Sequence, residues 1–565
     1  MTAIMFHNLC LARRHAVAIL ASMTLALAGL PAGAQSSSVG SFAEAAARAA
    51  AAAGAGFARR SSLQQMYSGT AVRPFWTANG RPTRQALAVI GILGDVATRG
   101  LDARNYGSAE LATMAGTLDG RSDSTRLARF DVALSRSVIQ LLGDLHEGRT
   151  DPSRLGFHLP PSHSNLDLAA MAVDMSAAPD PNVVITSAEP VYTGYRALEA
   201  TLARYRTLAA DTSLKAPPPA KGTLHVGDSY AGAEILRRLL VALGDLSPSA
   251  AAADATQGAQ YSTTLSTAVA AFQRRHGLVA DGVAGPSTMR ALRVPLAHRV
   301  QQIELTLERW RWLPDSVPSR YAVVNIPGFR LYLFENDRYA SKPEIRMNVI
   351  VGRAGRSRAT PIFTGTMSQV VIRPYWDVPA SIARNEIIPA TRRRWGYFAD
   401  QNLEIVSGGD VGARVYPLSS ANLSRVASGS LRIRQRPGPN NSLGLIKFLF
   451  PNEFNVYLHD TPAQSLFSQS QRDFSHGCIR VQDPLSLAEF VLRDQDGWIR
   501  SSIDSAMHGT KTIRISMSRP VAVYILYQTA VVAPEGIVYF YDDLYGHDAR
   551  LAQTLARSRP PAWTY

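Results

Sequence analysis

Two short stretches decide how this chain is interpreted: NVYLHDTP at residues 455–462 and SHGCIRV at residues 475–481. The first predicts a strand that ends at His459, where a polar loop begins. The second places Cys478 directly after Gly477, and glycine permits the unusual backbone angles of a tight, exposed turn. Because the intervening loop can fold the imidazole back onto the sulfur, we expect a Cys–His pair at this point.

The thiol of this pair must be deprotonated before it can act as a nucleophile. A free cysteine has a pKa of about 8.5 and is mostly protonated at neutral pH, so a nucleophilic role requires a neighbouring base or cation. Backbone N–H groups beside the turn could also face an oxyanion, a large electrostatic effect in acyl transfer. The alternative is a buried structural cysteine beside two core histidines, and the combined motif favours the catalytic interpretation.

This pattern resembles the YkuD-type catalytic domain of L,D-transpeptidases, in which a His is followed after about fifteen residues by Ser/Thr-His-Gly-Cys. The resemblance implies that Cys478 is the nucleophile and His459 its general base. It also implies that His476 and Gly477 shape the catalytic turn, and that Tyr457 offers a hydroxyl toward the oxyanion or substrate. A further implication is that carbapenems add covalently to the thiol.

Three residues beside this pair are predicted to contact substrate. Ser475 begins the turn, and Arg480 stands where many relatives carry Asn, so it either holds the loop or meets a substrate carboxylate. Asp460 follows the base. In many relatives the residue at this position orients the base through its main-chain carbonyl, but an Asp side chain could do so instead, and the sequence leaves both open.

Two further substrate contacts are expected from a separate stretch. Arg434, together with Arg432 and Arg436, alternates with Leu431, Ile433 and Gln435, which places three guanidiniums on one face of a strand. Guanidiniums suit the carboxylates of stem peptides; the alternative is an edge strand whose arginines are simply solvated. Trp376 is interpreted as a stacking wall for substrate, with a core position as its alternative.

Residues 223–293 predict a compact helical unit after a Pro-rich linker at residues 216–220. Its signature resembles the three-helix peptidoglycan-binding domain of wall enzymes; the matching residues are Ala268, Val269, Phe272, Gln273, Gly277, Leu278, Asp281, Gly282, Gly285 and Thr288. The alternative is a packing module without a ligand. The stretch 247–260 is of low complexity and is predicted to be an inserted surface loop.

Residues 1–34 have the pattern of a secretory signal: basic residues, an apolar run at 16–30, and the A-x-A site Ala32–Ala34. An uncleaved anchor is the alternative. Cleavage removes Cys10, leaves one thiol, and lowers the net charge from +15 to +13. A basic exported protein favours polyanionic partners such as the carboxylate-bearing cell wall, although a merely solubilising surface remains the alternative.

The fold class predicted is multidomain α+β. We expect a helical scaffold, a small three-helix peptidoglycan-binding domain, and a β-rich catalytic domain (a YkuD-type β-sandwich) with an inserted helical lid. The predicted boundaries are a signal at 1–34, a flexible lead-in at 35–56, the scaffold at 57–220, the peptidoglycan-binding domain at 221–295, a connecting helix at 296–319, the catalytic domain at 320–502 with its lid at about 380–430, and a C-terminal segment at 503–565 that packs on the scaffold.

The function predicted is L,D-transpeptidation of tetrapeptide stems, and the domain order resembles the large periplasmic YcbB-like type. The expected partners are peptidoglycan stem peptides and glycan, with other wall-synthesis enzymes as possible partners, and not nucleic acid or a membrane interior. No metal or cofactor is expected, since metal and phosphate motifs are missing from the sequence. The rivals are a wall hydrolase that uses the same cysteine, as L,D-carboxypeptidase or endopeptidase, and a non-catalytic peptidoglycan-binding scaffold.

Overall fold

A computed structural model describes residues 32–69, 72–159, 166–316, 318–335, 343–355, 358–408 and 412–557. The predicted signal falls almost wholly on residues 1–31, outside the described residues. Within the described ranges, no helix is both long and apolar enough to cross a bilayer.

The N-terminal region is built around one long helix. Asp123 caps its start by accepting a hydrogen bond from the backbone N–H of Arg126, and Gly148 ends it at φ +83°. Shorter helices pack around its apolar side chains. The elements are α1 (Ala32–Ala53), α2 (Arg60–Met66), β1 (Thr77–Ala78), β2 (Arg81–Pro82), α3 (Arg84–Gly94), α4 (Ser108–Gly116), α5 (Ser124–Glu147), β3 (Phe157–His158), α6 (Leu168–Ala177), α7 (Asn182–Ala188) and α8 (Thr193–Ala210).

The prediction of a flexible lead-in at residues 35–56 is wrong. Residues 35–53 of this stretch belong to helix α1, whose residues Phe42, Ala46 and Ala50 are buried in the same core as helix α5. The Ser-, Gly- and Ala-rich composition favours a flexible segment when it is considered alone. Alanine is the strongest helix former, however, and its small side chain lets two helices approach closely.

The peptidoglycan-binding candidate is a bundle of short helices with its own apolar core. The expected loop at 247–260 contains a helix, capped by the Ser247 hydroxyl and fixed by an ion pair between buried Asp254 and Arg237 at 3.0 Å. The elements are α9 (Ala233–Leu243), α10 (Pro248–Asp254), α11 (Thr263–Arg275), α12 (Pro286–Leu292) and the connecting helix α13 (Leu296–Trp310).

The β-rich region is one nine-stranded sheet in the order β12-β13-β14-β6-β5-β4-β15-β7-β3. Strand β12 also pairs with β7, so the sheet closes on itself around the largest apolar core, where a two-layer sandwich was expected. Its strands and helices are β4 (Arg320–Asn325), β5 (Arg330–Glu335), β6 (Ile345–Ile350), β7 (Ile362–Ile372), β12 (Ile446–Leu449), β13 (Leu458–His459), β14 (Ile479–Val481), α18 (Pro484–Leu492), α19 (Arg500–His508) and β15 (Ile513–Leu526).

The prediction that residues 503–565 pack on the scaffold is wrong for strand β15. This strand pairs in parallel with β4 and antiparallel with β7, in the middle of the large sheet. Its alternating pattern predicts a strand, but local periodicity carries no information about which strand it pairs with. The elements after it, β16 (Ala530–Val532), β17 (Val538–Phe540) and α20 (His547–Arg557), do reach helices α8 and α13.

The insertion expected to be a helical lid has its own small sheet and core. Its four strands run in the order β10-β9-β11-β8 and carry the helices on one apolar cluster. A π-helical turn at Ala383–Ile387 joins the first two helices. The elements are β8 (Trp376–Asp377), α14 (Ala380–Ile382), α15 (Ile388–Arg393), α16 (Gly396–Asp400), β9 (Leu403–Ser407), β10 (Arg414–Tyr416), α17 (Ser420–Ala427) and β11 (Arg432–Gln435).

Candidate active site

The catalytic turn, defined here as residues 475–478, leads into strand β14 and presents Cys478 at its end. Gly477 has φ +122°, a backbone conformation that side-chain-bearing residues rarely adopt. Cys478 is a half-buried free thiol, and its Sγ lies 3.7 Å from the main-chain oxygen of Asn455. The turn therefore places the sulfur at the protein surface, where a substrate can reach it.

Hydrogen bonds of the Ser475 and Thr360 hydroxyls hold the turn in this shape. The Ser475 hydroxyl donates to the carbonyl of Cys478 at 2.5 Å and accepts from the N–H of Gly477 at 3.2 Å. The Thr360 hydroxyl donates to the carbonyl of Gly477 at 2.8 Å. Ser475 is only 3% exposed. Ser475 therefore supports the turn from the protein interior. The N–H of Gly477 already donates a hydrogen bond to the Ser475 hydroxyl.

Strand pairing brings the predicted base to the same face as the thiol. Strands β13 and β14 run in parallel, with Leu458 opposite Ile479 and His459 opposite Arg480. Leu458 and Ile479 are fully buried in the core. Because side chains alternate along a strand, His459 and Arg480 face the other way, and so do the preceding Tyr457 and Cys478.

His459 is held in one orientation by the main chain. Its Nδ1 lies 2.5 Å from the carbonyl oxygen of Asp460, an acceptor, so Nδ1 carries the proton and Nε2 keeps its lone pair. Burial, followed by the charge of Arg480, lowers the pKa of His459 to about 3. The imidazole is therefore neutral at physiological pH and can accept a proton.

The side chain of Asp460 has a different task. Its Oδ2 accepts the N–H of Leu445 at 2.8 Å, and Oδ1 accepts from Gln464 at 3.3 Å. Gly444 approaches so closely that a Cβ there would lie 2.2 Å from this carboxylate. Of the two orienting contacts left open by the sequence, the structure has the main-chain one, and the side chain ties down the strand beside it.

Burial and the neighbouring polar groups shift the pKa of the Cys478 thiol in opposite directions. Burial raises the pKa of Cys478, while hydrogen bonds from Tyr457 and the charges of Arg480 and Lys447 act in the lowering direction. Burial and the neighbouring Cys478 also raise the pKa of Tyr457, so its phenol stays protonated. The resting pair is a neutral thiol beside a neutral imidazole.

Lys447 is a site residue that the sequence analysis missed. It is the cross-strand partner of His459, and its Nζ lies 5.7 Å from the centre of the Tyr457 ring. The signal was present as a lysine between Ile446 and Phe448, both buried in the sheet. A cation at that position must point to the face opposite the core, which is the face of the thiol.

Arg480 is half-buried on the same face. Within the described part of the chain its Nε is buried without a hydrogen-bond partner, and burial lowers the pKa of the guanidinium. A buried cationic donor without a partner is costly, and a carboxylate bound at this point would relieve the cost.

His476 points toward the inserted subdomain. Its Nε2 lies 2.8 Å from the carboxylate of Glu386, in the π-helical turn, and Arg358 contacts the same oxygen at 3.2 Å. The insertion therefore touches the catalytic turn directly, through a residue two positions before the thiol.

Trp376 and Arg434 lie in the small sheet of the insertion. Arg434 is 6% exposed, pairs with Glu404 at 3.2 Å, and stacks over the Tyr375 ring at 4.2 Å. Glu404 also lies 3.5 Å from Arg436, and Arg432 pairs with Asp377. We expected these three guanidiniums to bind substrate carboxylates, but each already lies beside a carboxylate of the insertion. Trp376 is half-buried and packs against the core of the insertion.

No group of three or more His, Cys, Asp or Glu residues that could hold a metal ion is found among the described residues. The chemistry available at this site is that of a thiol, an imidazole, a phenol and two cations.

Comparison with known families assigns most of the chain. Residues 319–521 match the YkuD model, described as an L,D-transpeptidase catalytic domain, and residues 61–202 match a model described as a scaffold domain. Residues 230–292 match a model described as "Putative peptidoglycan binding domain". Along the chain, the scaffold match comes first, the peptidoglycan-binding match second and the catalytic-domain match third.

A curated relative from Haemophilus influenzae, named "Putative L,D-transpeptidase", is 29% identical over 251 residues. The match covers 44% of this chain and 49% of the relative, so it spans about half the length of either protein. Together with the family models, this similarity supports one assignment: the chain carries a YkuD-type L,D-transpeptidase catalytic domain together with a peptidoglycan-binding domain.

Proposed function

We propose that the protein is a periplasmic L,D-transpeptidase that cross-links peptidoglycan tetrapeptide stems through a cysteine acyl-enzyme. Cys478 is the nucleophile and His459 the general base. One observation carries the proposal: a neutral imidazole, fixed by the Asp460 carbonyl, lies on the same sheet face as the half-buried thiol. This arrangement keeps a proton acceptor ready beside a nucleophile that is itself protonated at rest.

In the first half-reaction, Nε2 of His459 accepts the thiol proton as Sγ bonds to the carbonyl carbon of a stem-peptide amide. The imidazolium then returns this proton to the departing nitrogen, the C–N bond breaks, and the terminal D-amino acid leaves. The choice of a bond between an L- and a D-centre follows from the family.

In the second half-reaction, an amine of a neighbouring stem attacks the thioester carbon. His459 takes up the proton lost by the amine, the C–S bond breaks, and the sulfur recovers the proton. If water replaces the amine, the outcome is hydrolysis, the reaction of the first rival function.

Neighbouring residues are assigned by their chemistry. The phenol of Tyr457 stays protonated and can donate to the oxyanion. Arg480 and Lys447 place positive charge beside the thiol, where they favour a substrate carboxylate. Ser475 acts as support for the turn, not as a substrate contact.

We further propose that the inserted subdomain is a lid over the acyl-enzyme. The contact between Glu386 and His476 supports this role, because it connects the insertion to the catalytic turn. A lid that excludes water favours transfer over hydrolysis. Glu386→Ala is therefore expected to lower the ratio of cross-linked dimers to hydrolysed stems. Asp400→Ala, which breaks the exposed pair with Arg394 inside the insertion, is the matched control.

The decisive experiment is mass spectrometry of muropeptides after purified protein has been incubated with sacculi rich in tetrapeptide stems. Dimers that appear with wild type and not with Cys478→Ala support transpeptidation. Trimmed stems alone would favour the hydrolase, and binding without any product would favour the scaffold. A parallel incubation with a carbapenem should add one covalent adduct to the wild-type protein and none to Cys478→Ala.

A further inference from the structure

A segment outside the matched catalytic domain contacts the support of the catalytic turn. Tyr545 lies between strand β17 and helix α20, beyond residue 521, where the family match ends. Its hydroxyl accepts the N–H of Thr360 at 3.2 Å and donates to the carbonyl of Gly352 at 2.5 Å. One phenol thus joins Gly352 to Thr360.

These two residues and Arg353 directly support the turn that carries the nucleophile. The N–H of Gly352 donates to the Thr360 hydroxyl at 2.8 Å, and this hydroxyl donates to the carbonyl of Gly477, next to Cys478. The neighbouring N–H of Arg353 donates to the carbonyl of Ser475 at 3.0 Å. Gly352 and Arg358 approach closely, since a Cβ at Gly352 would lie 2.0 Å from the carbonyl of Arg358.

Tyr545 is itself held firmly from the other side. Its N–H donates to the Tyr527 hydroxyl at 2.8 Å, and Tyr527 donates to Asp543 at 2.7 Å. Asp543 accepts the first N–H groups of helix α20, from Asp548 and Ala549.

The same helix is anchored on the connecting helix. Asp548 pairs with Arg309 of helix α13 at 2.5 Å. A hydrogen-bonded path therefore runs from the helix that follows the peptidoglycan-binding domain to the carbonyl beside the nucleophile.

We propose that Tyr545 is a positioning residue for Cys478, acting through Gly352 and Thr360. This inference rests on the proposed function, in which the turn must hold the sulfur against the stem-peptide carbonyl. Without the phenol hydroxyl, the carbonyl of Gly352 and the N–H of Thr360 lose their partner, and these two residues can shift away from the catalytic turn. A displacement of about 1 Å at a reacting atom can cost up to about a hundredfold in rate.

The test compares Tyr545→Phe with Tyr192→Phe, which removes a hydroxyl that donates to the Pro314 carbonyl beside helix α8. For Tyr545→Phe we expect kcat of cross-linking to fall about tenfold, with KM within about twofold of wild type, because substrate contacts remain while alignment of the sulfur is lost. The control should retain wild-type kcat. Thr360→Ser should behave as wild type, and Thr360→Val as Tyr545→Phe.

A second readout needs only the thiol. Burial raises the pKa of Cys478, so a looser turn that admits water should lower the pH midpoint of its alkylation by iodoacetamide. Tyr545→Phe should therefore alkylate faster than wild type at pH 7 while cross-linking more slowly, in a protein that is still folded at the assay temperature. Unchanged kcat and alkylation in a folded Tyr545→Phe, or equal losses in the control, would overturn the inference. Failure of the proposed function would appear separately, as cross-linking that survives Cys478→Ala.

Discussion

Two histidines of this molecule, His276 in the peptidoglycan-binding domain and His459 in the catalytic domain, have almost the same local chemistry. In each, Nδ1 contacts a main-chain carbonyl, that of Phe272 at 2.8 Å or of Asp460 at 2.5 Å. In each, burial is the largest cause of a lowered pKa. A neutral, oriented imidazole is therefore not in itself a sign of catalysis.

The difference lies in what surrounds the ring. His276 is stacked on Phe272 and also faces Phe540, so its faces are used for packing. His459 shares its sheet face with Tyr457, Cys478 and two cations. Charge does not separate the two rings, since Arg275 and Arg299 place positive charge beside His276 as well. A candidate base is therefore recognised by the nucleophile beside it, not by its own pKa or its charged neighbours.

The recognisable motifs of the two regions differ in the same way. In the peptidoglycan-binding domain, the Gln273 amide donates to Asp281, Val283 and Thr288 and accepts the N–H of Gly282. This part of the signature builds a turn and leaves no amide hydrogen bond for a ligand. In the catalytic turn, the Ser475 hydroxyl has that structural role, while Cys478 remains a half-buried free thiol.

The largest expected effect is that of Cys478→Ala. Cross-linking should fall at least about a thousandfold, to background, because no other side chain supplies the nucleophile. The melting temperature and binding to sacculi should be retained, since the half-buried thiol contributes little to the core. Muropeptide analysis and a pull-down assay check both expectations, and residual turnover well above background would contradict the assignment.

Substituting each of the two histidines by alanine distinguishes a base from a packing residue. His459→Ala should reduce turnover about a thousandfold, within the range usual for loss of a general base. His276→Ala should leave turnover of a soluble stem peptide unchanged, although it removes an equally neutral imidazole. Equal losses in the two variants, with both proteins folded, would mean that His459 is also a packing residue.

The pH dependence provides a third expectation. Because the pKa of the Cys478 thiol is raised, its thiolate fraction should increase about tenfold per pH unit, so alkylation should rise about a hundredfold from pH 6 to pH 8. His459 gains its proton only near pH 3, so an imidazolium–thiolate pair does not form in this range. A plateau of alkylation below pH 7 would reveal such a pair and reject the neutral resting state.

The smallest effect concerns the structural motif. Gln273→Ala should destabilise the peptidoglycan-binding domain by about 2 kcal/mol, because it leaves buried backbone groups without a partner. Turnover of a soluble stem peptide should remain at the wild-type rate. Thermal unfolding measures the loss of stability, and steady-state kinetics measure the turnover. Lost turnover in a folded variant would indicate that the turn at Gln273 affects the position or reactivity of the Cys478 thiol.

The sequence predicted the parts of the site that depend on neighbours in the chain. Cys478, Gly477 and the strand that ends at His459 are local patterns of this kind. Lys447 was missed because its role appears only when strand β12 pairs with β13. Arg434 was expected to face substrate because alternation predicts a face but cannot show that Glu404 already occupies it.

The position of strand β15 has a consequence for the order of folding. Its neighbours in the sheet, β4 and β7, precede it by roughly two hundred and one hundred and fifty residues, so these pairings are among the least local in the chain. A chain emerging from its N-terminus can form the helical regions early, but the large sheet stays open between β4 and β7 until residue 526 arrives. The sheet that carries the candidate active site is then closed last, so a nascent or truncated chain has no closed sheet on which to assemble the site.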